Sequence, residues 1–168
     1  MAKKTAKALP VPANITQHAL EAHVQFLDRI KRATAQATRT AADQRMRSEH
    51  YKERAASNRS TLKSCEESGI VEAARRYGGV RTGVLRVEEQ NLAAFLAGVH
   101  DKLVLNIDER VRRVARLALE MYRNDPESNK ASAARAAHIV TLGYLEGYKR
   151  TLEIFDECFG PLQQRLAT

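Results

Sequence analysis

The sequence predicts an all-α protein. Apolar residues recur at steps of three and four along most of the chain, the spacing of one helical face. No window alternates apolar and polar residues over the length of a strand. The one candidate, 99–107, runs into helical patterns on both sides. The pattern divides into about five helices: a long N-terminal helix, a central helix-turn-helix-like corner and a C-terminal helix, the whole assembled as an oligomer. No repeat of solenoid length is present.

Residues 1–13 read as a disordered basic tail, with Lys3, Lys4 and Lys7 beside Pro10 and Pro12. Residues 14–168 form a single helical domain. Asn14 with Gln17 has the spacing of a capping box. It opens a helix striped by Ile15, Ala19, Ala22, Phe26, Ile30, Ala33 and Ala37, widened by Leu20, Val24 and Leu27. Large apolar residues then thin out until Leu62. Ala, Arg, Gln and Glu, all strong helix formers, nevertheless carry the helix on, and no Gly or Pro interrupts it before Gly69. A helix of so thin a stripe needs a partner. Residues 33–65 are therefore expected to project as an arm or to pack on another chain. Gly69 ends this stretch, and a short helix, 70–77, precedes a Gly78-Gly79 turn. Val84, Val87, Leu92, Phe95, Leu96, Val99 and Leu103 suggest the next helix. Asn106 or Asp108 caps another, with the heptad-like stripe Ile107, Val111, Val114, Ala118, Met121, which Asn124-Asp125-Pro126 stops. The last helix runs from about Ser132 to Phe159, striped by Ile139, Leu142, Leu145, Tyr148, Leu152 and Phe155, with Gly160-Pro161 as its end. Within it Gly143 and Gly147 form G-x-x-x-G, a pattern that marks a dimer face in membranes and a close helix crossing elsewhere.

Composition narrows the function. There are 28 Lys+Arg against 20 Asp+Glu, a net charge of +8. Residues 1–69 contribute +6 of it, with further arginine clusters at Arg75, Arg76, Arg81 and Arg86 and at Arg110, Arg112, Arg113 and Arg116. Such a surface suits a polyanion, and a solvated helix face compensated by acids is the alternative. No apolar run approaches the ~20 residues of a membrane helix. The N-terminus lacks the apolar region of a signal peptide. Two cysteines, Cys65 and Cys158, make neither a disulfide framework nor a zinc site. The five histidines form no H-x-x-x-H or E-x-x-H pair, and no nucleophile elbow, P-loop or dinucleotide fingerprint occurs. The expectation is a non-enzyme without cofactor, metal or small-molecule substrate, and without a membrane partner.

Residues 70–89, IVEAARRYGGVRTGVLRVEE, combine the parts of one motif. Ala74 is small where two helices would cross. Gly78 follows four residues later, where a turn is needed. Val84 and Val87 are placed to lock a second helix onto Ile70, Ala73 and Tyr77. This stretch resembles the helix-turn-helix of DNA-binding proteins, such as those of resolvases, transposases and phage small terminases. It covers about an eighth of the chain. Val80 stands where the pattern has a Ser or Thr cap, Gly79 replaces an apolar turn residue, Gly83 weakens the second helix, and Glu88 and Glu89 bring carboxylates near the phosphates. The resemblance implies that the second helix enters the major groove, with Arg81, Thr82, Leu85 and Arg86 facing DNA and Arg75 and Arg76 touching phosphates.

Two functions follow as expectations. One is an oligomeric DNA-binding protein of phage or plasmid regulator or DNA-packaging type, with duplex DNA and its own copies as partners. The other is a virion or scaffold-like assembly protein that contacts nucleic acid or an acidic subunit. The expected location is the cytoplasm, or the virion in the second case.

Overall fold

The computed structural model describes residues 15–77 and 92–167. Its helices are α1 (Ile15–Tyr51), α2 (Arg54–Arg76), α3 (Leu92–Arg123) and α4 (Asn129–Leu166), and no strand occurs among the described residues. The expected tail, the Asn14 cap and the Val84 and Val87 lock lie outside them.

Four helices rather than five result, because the expected boundaries fall elsewhere. The predicted continuous helix past Ala37 reverses at Lys52, whose φ of 52° is left-handed. Neither Gly nor Pro marks this turn. Packing makes it: Ala37 and Ala41 of α1 are buried, as is Ala56 of α2, and Ser60 Oγ donates to the Ala41 carbonyl at 2.9 Å. Residues 33–65 thus form a helical hairpin, and small side chains let its two arms approach closely. Arg59 closes the hairpin through Gln44 (2.8 Å) and Glu53 (3.1 Å).

Gly69 does not end a helix. It lies inside α2, where a Cβ would come within 2.7 Å of the Tyr144 carbonyl oxygen. The expected short helix 70–77 is the last part of α2. Likewise α3 is continuous through Asn106 and Asp108; Asn106 bonds back to the Lys102 carbonyl instead of capping. Asn124–Pro126 does stop α3, as predicted. Helix α4 starts at Asn129, capped by Ser128, whose side chain accepts from the Ala131 amide at 3.1 Å. It continues through Gly160 and Pro161 to Leu166. Pro161 is exposed about one turn from that end, and Glu157, whose carbonyl it leaves without an amide partner, is an exposed residue too.

The glycines set the central contact. A Cβ on Gly143 would meet Leu62 O and Cys65 Cβ at 2.5 Å, and one on Gly147 would meet Glu66 O and Ile70 N. The G-x-x-x-G is a close crossing of two helices of one chain. Since 62 faces 143 and 70 faces 147, α2 and α4 run parallel. Helix α1 lies antiparallel along α2, and α3 antiparallel along α4, so both hairpin turns lie at one end of the bundle.

The other end holds the aromatic core. Phe26, Tyr77, Phe155 and Phe159 are buried, with ring centroids 4.7–6.1 Å apart. Leu92, Leu96, Val99 and Leu103 close it from α3. From Ala19 to Ala37 the predicted stripe of α1 is buried, with Ala33 half-buried, but Leu20 and Val24 are 49% and 63% exposed instead of widening it. From Ile107 on, the half-buried positions of α3 are Ile107, Arg110, Val114, Leu117 and Met121; Val111 and Ala118 of the expected stripe face out.

Candidate nucleic-acid interface

The helix-turn-helix residues divide between described and undescribed parts of the chain. Arg81, Thr82, Leu85 and Arg86 lie outside the described residues. Arg75 and Arg76 occupy the exposed last turn of α2. The nearby Tyr148 hydroxyl raises the already high pKa of Arg76. Arg75 makes no ion pair or hydrogen bond among the described residues. The inner face expected to receive the recognition helix, Ile70, Ala73, Ala74 and Tyr77, is fully buried in the core shared with α1, α3 and α4. Tyr77 packs on Phe26, Phe95 and Phe159, and its hydroxyl shares a hydrogen bond of 2.5 Å with His23 Nδ1. Burial keeps that phenol protonated far above its usual range. The buried Nε2 of His23 has no partner among the described residues.

The second arginine cluster separates by helical face. Arg110 turns inward. Its guanidinium lies 3.9 Å over the Tyr148 ring and 3.0 Å from Glu72, which also accepts from the Tyr148 hydroxyl at 2.8 Å. This node ties α2, α3 and α4 together; burial, and after it Glu72, raises the Tyr148 pKa. Beside it a cleft of about 350 Å³ is lined by Glu72, Glu109, Arg110, Arg113, Thr141 and Tyr144, with both signs of charge. Arg112, Arg116 and Arg123 turn outward. Steps of four and seven put them on one exposed face of α3, about 16 Å long at 1.5 Å per residue. None of them forms an ion pair or hydrogen bond with another described residue. By contrast Arg29, Arg32, Arg59 and Arg150 each bind a carboxylate.

Charge is also unequal between the two ends. On the hairpin side of the Gly69–Gly147 crossing, residues 33–67 and 110–146 hold 14 Lys+Arg and 9 Asp+Glu, a net +5. On the aromatic side, residues 15–32, 68–77, 92–109 and 147–167 hold 9 of each, a net of zero. Residues 33–67 supply +2 of this excess and residues 110–146 the other +3, and they meet because the two hairpins turn at the same end. The outward face of α3 was legible in the spacing of Arg112, Arg116 and Arg123, but the run Arg110–Arg116 read as one cluster hid it.

No described helix is long and apolar enough to cross a membrane. Comparison with protein-family models, with curated proteins and with solved structures finds no match to this chain.

Proposed function

We propose that this chain is a non-enzymatic helical protein that binds nucleic acid through phosphate contacts, with the outward face of α3 as its principal contact. The observation that carries this reading is the row Arg112, Arg116, Arg123: three exposed guanidiniums on one helix face, free of carboxylate partners among the described residues. Exposed guanidiniums in a row that make no ion pair among the described residues can meet a phosphate backbone in charge and geometry. The +5 of the hairpin half adds a long-range attraction of the same sign. The helix-turn-helix residues belong to the proposal as a second contact: Arg75 and Arg76 lead into Arg81, Thr82, Leu85 and Arg86.

A salt titration against random-sequence duplex DNA tests the principal contact. The double variant Arg112→Ala, Arg116→Ala should weaken binding to every sequence. It should also flatten the slope of log K against log salt by about 0.9 for each phosphate that is no longer neutralised. Arg150→Ala, at the neutral end, serves as the control and should leave the slope unchanged. An unchanged slope in the double variant defeats the reading. Arg81→Ala and Arg86→Ala should instead cost about 1–3 kcal/mol at a preferred sequence only.

A second reading, a helical assembly protein, is favoured by Val111, Ala115 and Leu119, apolar and exposed at steps of four on α3. Leu119→Glu should then dissociate an oligomer seen by sedimentation equilibrium. A parent chain that is monomeric at micromolar concentration ends that reading.

A further inference from the structure

We infer that the hairpin end takes unpaired nucleic-acid strands, stacking their bases on Tyr51 and Tyr122. This rests on the nucleic-acid reading and narrows its ligand. Tyr122 is 89% exposed and Tyr51 77%. Each lies in the last turn of its helix, α3 and α1, and both helices run toward the hairpin end. Neither ring packs on another aromatic ring, and neither hydroxyl makes a hydrogen bond, among the described residues. The remaining tyrosines, Tyr77, Tyr144 and Tyr148, are buried or half-buried.

The surroundings of the two rings select the occupant. Tyr122 adjoins Arg123 in sequence, and Leu119 lies about one turn back on the same helix. Tyr51 adjoins Lys52, with Arg47 one turn before it, and all of these cations are exposed. Flat rings beside the exposed cations Arg47, Lys52 and Arg123, in a half of net charge +5, suit a strand that offers phosphates and free base faces together. In a duplex the base faces are already stacked on one another, so a duplex engages the arginines and leaves the rings unused. An apolar protein partner would use the rings but leave the guanidiniums without anions.

Binding of a fluorescein-labelled oligo-dT strand, and of a random-sequence duplex of equal length, is measured by anisotropy at one salt concentration. Tyr51→Ala and Tyr122→Ala should each lower affinity for the single strand about 5- to 150-fold, the range for removal of one stacked base. Duplex affinity should stay within about twofold, and Tyr→Phe variants should retain single-strand affinity, because the ring face is what binds. The chain has no Trp, so its emission comes from five tyrosines; oligo-dT should quench part of it, and the double Tyr→Ala variant should lose that quenching. Circular dichroism of each variant confirms the fold. If the alanine variants bind the single strand like the parent, or lose single strand and duplex alike, base stacking is overturned while nucleic-acid binding stands. If the parent binds neither probe, both readings fall. If Tyr122→Ala changes only sedimentation, the ring belongs to a protein contact and the inference is overturned.

Discussion

Tyr148 shows how single side chains hold this bundle. Its ring is buried under Arg110, and its hydroxyl donates to Glu72, so one residue links three helices. Tyr77 does the same at the aromatic end through His23 and the phenylalanines. Both phenols have pKa values raised first by burial. A raised pKa means that the folded state holds the proton more tightly than the unfolded state. The corresponding stability is fully present below the unfolded value near 10 and is lost as pH rises through and beyond it. The Cys65 and Cys158 thiols, also raised by burial, begin the decline about one pH unit earlier. Urea unfolding between pH 8 and 11 should therefore show stability falling with pH, by up to about 1.4 kcal/mol per unit for each tyrosine that must ionise. Tyr77→Phe should lower stability at pH 8 by about 1 kcal/mol through removal of the bond to His23, and should shallow the alkaline decline. An unaltered decline in that variant would mean that Tyr77 does not contribute to it.

At the scale of elements, the contact of α2 with α4 depends on absent side chains. Gly69, Gly143 and Gly147 let two backbones touch, and an added methyl at Gly147 would press on the α2 backbone at Glu66 and Ile70. Backbone cannot rotate aside as a side-chain tip does. Gly147→Ala should cost about 1–3 kcal/mol or more by overpacking. Gly98, inside α3, has nothing within 4 Å of its would-be Cβ. There Gly98→Ala should raise stability by about 0.5–1 kcal/mol, since alanine loses less backbone entropy in a helix. Opposite signs at these two helical glycines are the expected outcome of chemical denaturation; equal signs would refute the close crossing. The crossing was legible as one of two readings of G-x-x-x-G. The reversal at Lys52 was not, because a left-handed lysine carries no local signal and arises only when α2 folds back on the alanines of α1.

The whole molecule has unlike ends. Aromatic rings fill one, whereas Ala37, Ala41, Ala56, Ala131 and Ala134 fill the other. Burial stabilises roughly in proportion to apolar area, about 25 cal/mol per Å², so alanine layers hold less firmly than phenylalanine layers. Like charges gathered in the same half oppose it further. Native-state hydrogen exchange should show amides of residues 35–50 and 56–64 opening at lower free energy than those around Phe26, Phe155 and Phe159. Uniform protection along α1 would contradict this division. The less firmly held half is also the basic one proposed to bind nucleic acid, so bound oligonucleotide should slow exchange there most.

Several features of this protein were set by local pattern alone. The all-helical class follows from steps of three and four. The buried faces of α1 and α4 follow from Ala19, Ala22, Phe26 and Ile30 and from Leu145, Tyr148, Phe155 and Phe159, and the end of α3 from Asn124–Pro126. On α3, periodicity pointed to the stripe Ile107, Val111, Val114, Ala118, Met121, but tertiary structure covered the face containing Arg110 and Leu117, where Glu72 and Tyr148 pair with Arg110, and left Val111 and Ala118 exposed. That choice turned Arg112, Arg116 and Arg123 outward. Tertiary structure likewise absorbed the inner face of the helix-turn-helix resemblance into the core and brought the charge of α1, α2 and α3 to one end. Spacing along a chain encodes which residues share a helix face. Which face another helix covers depends on how distant segments pack, and the exposed charge available to a partner is what that packing leaves uncovered.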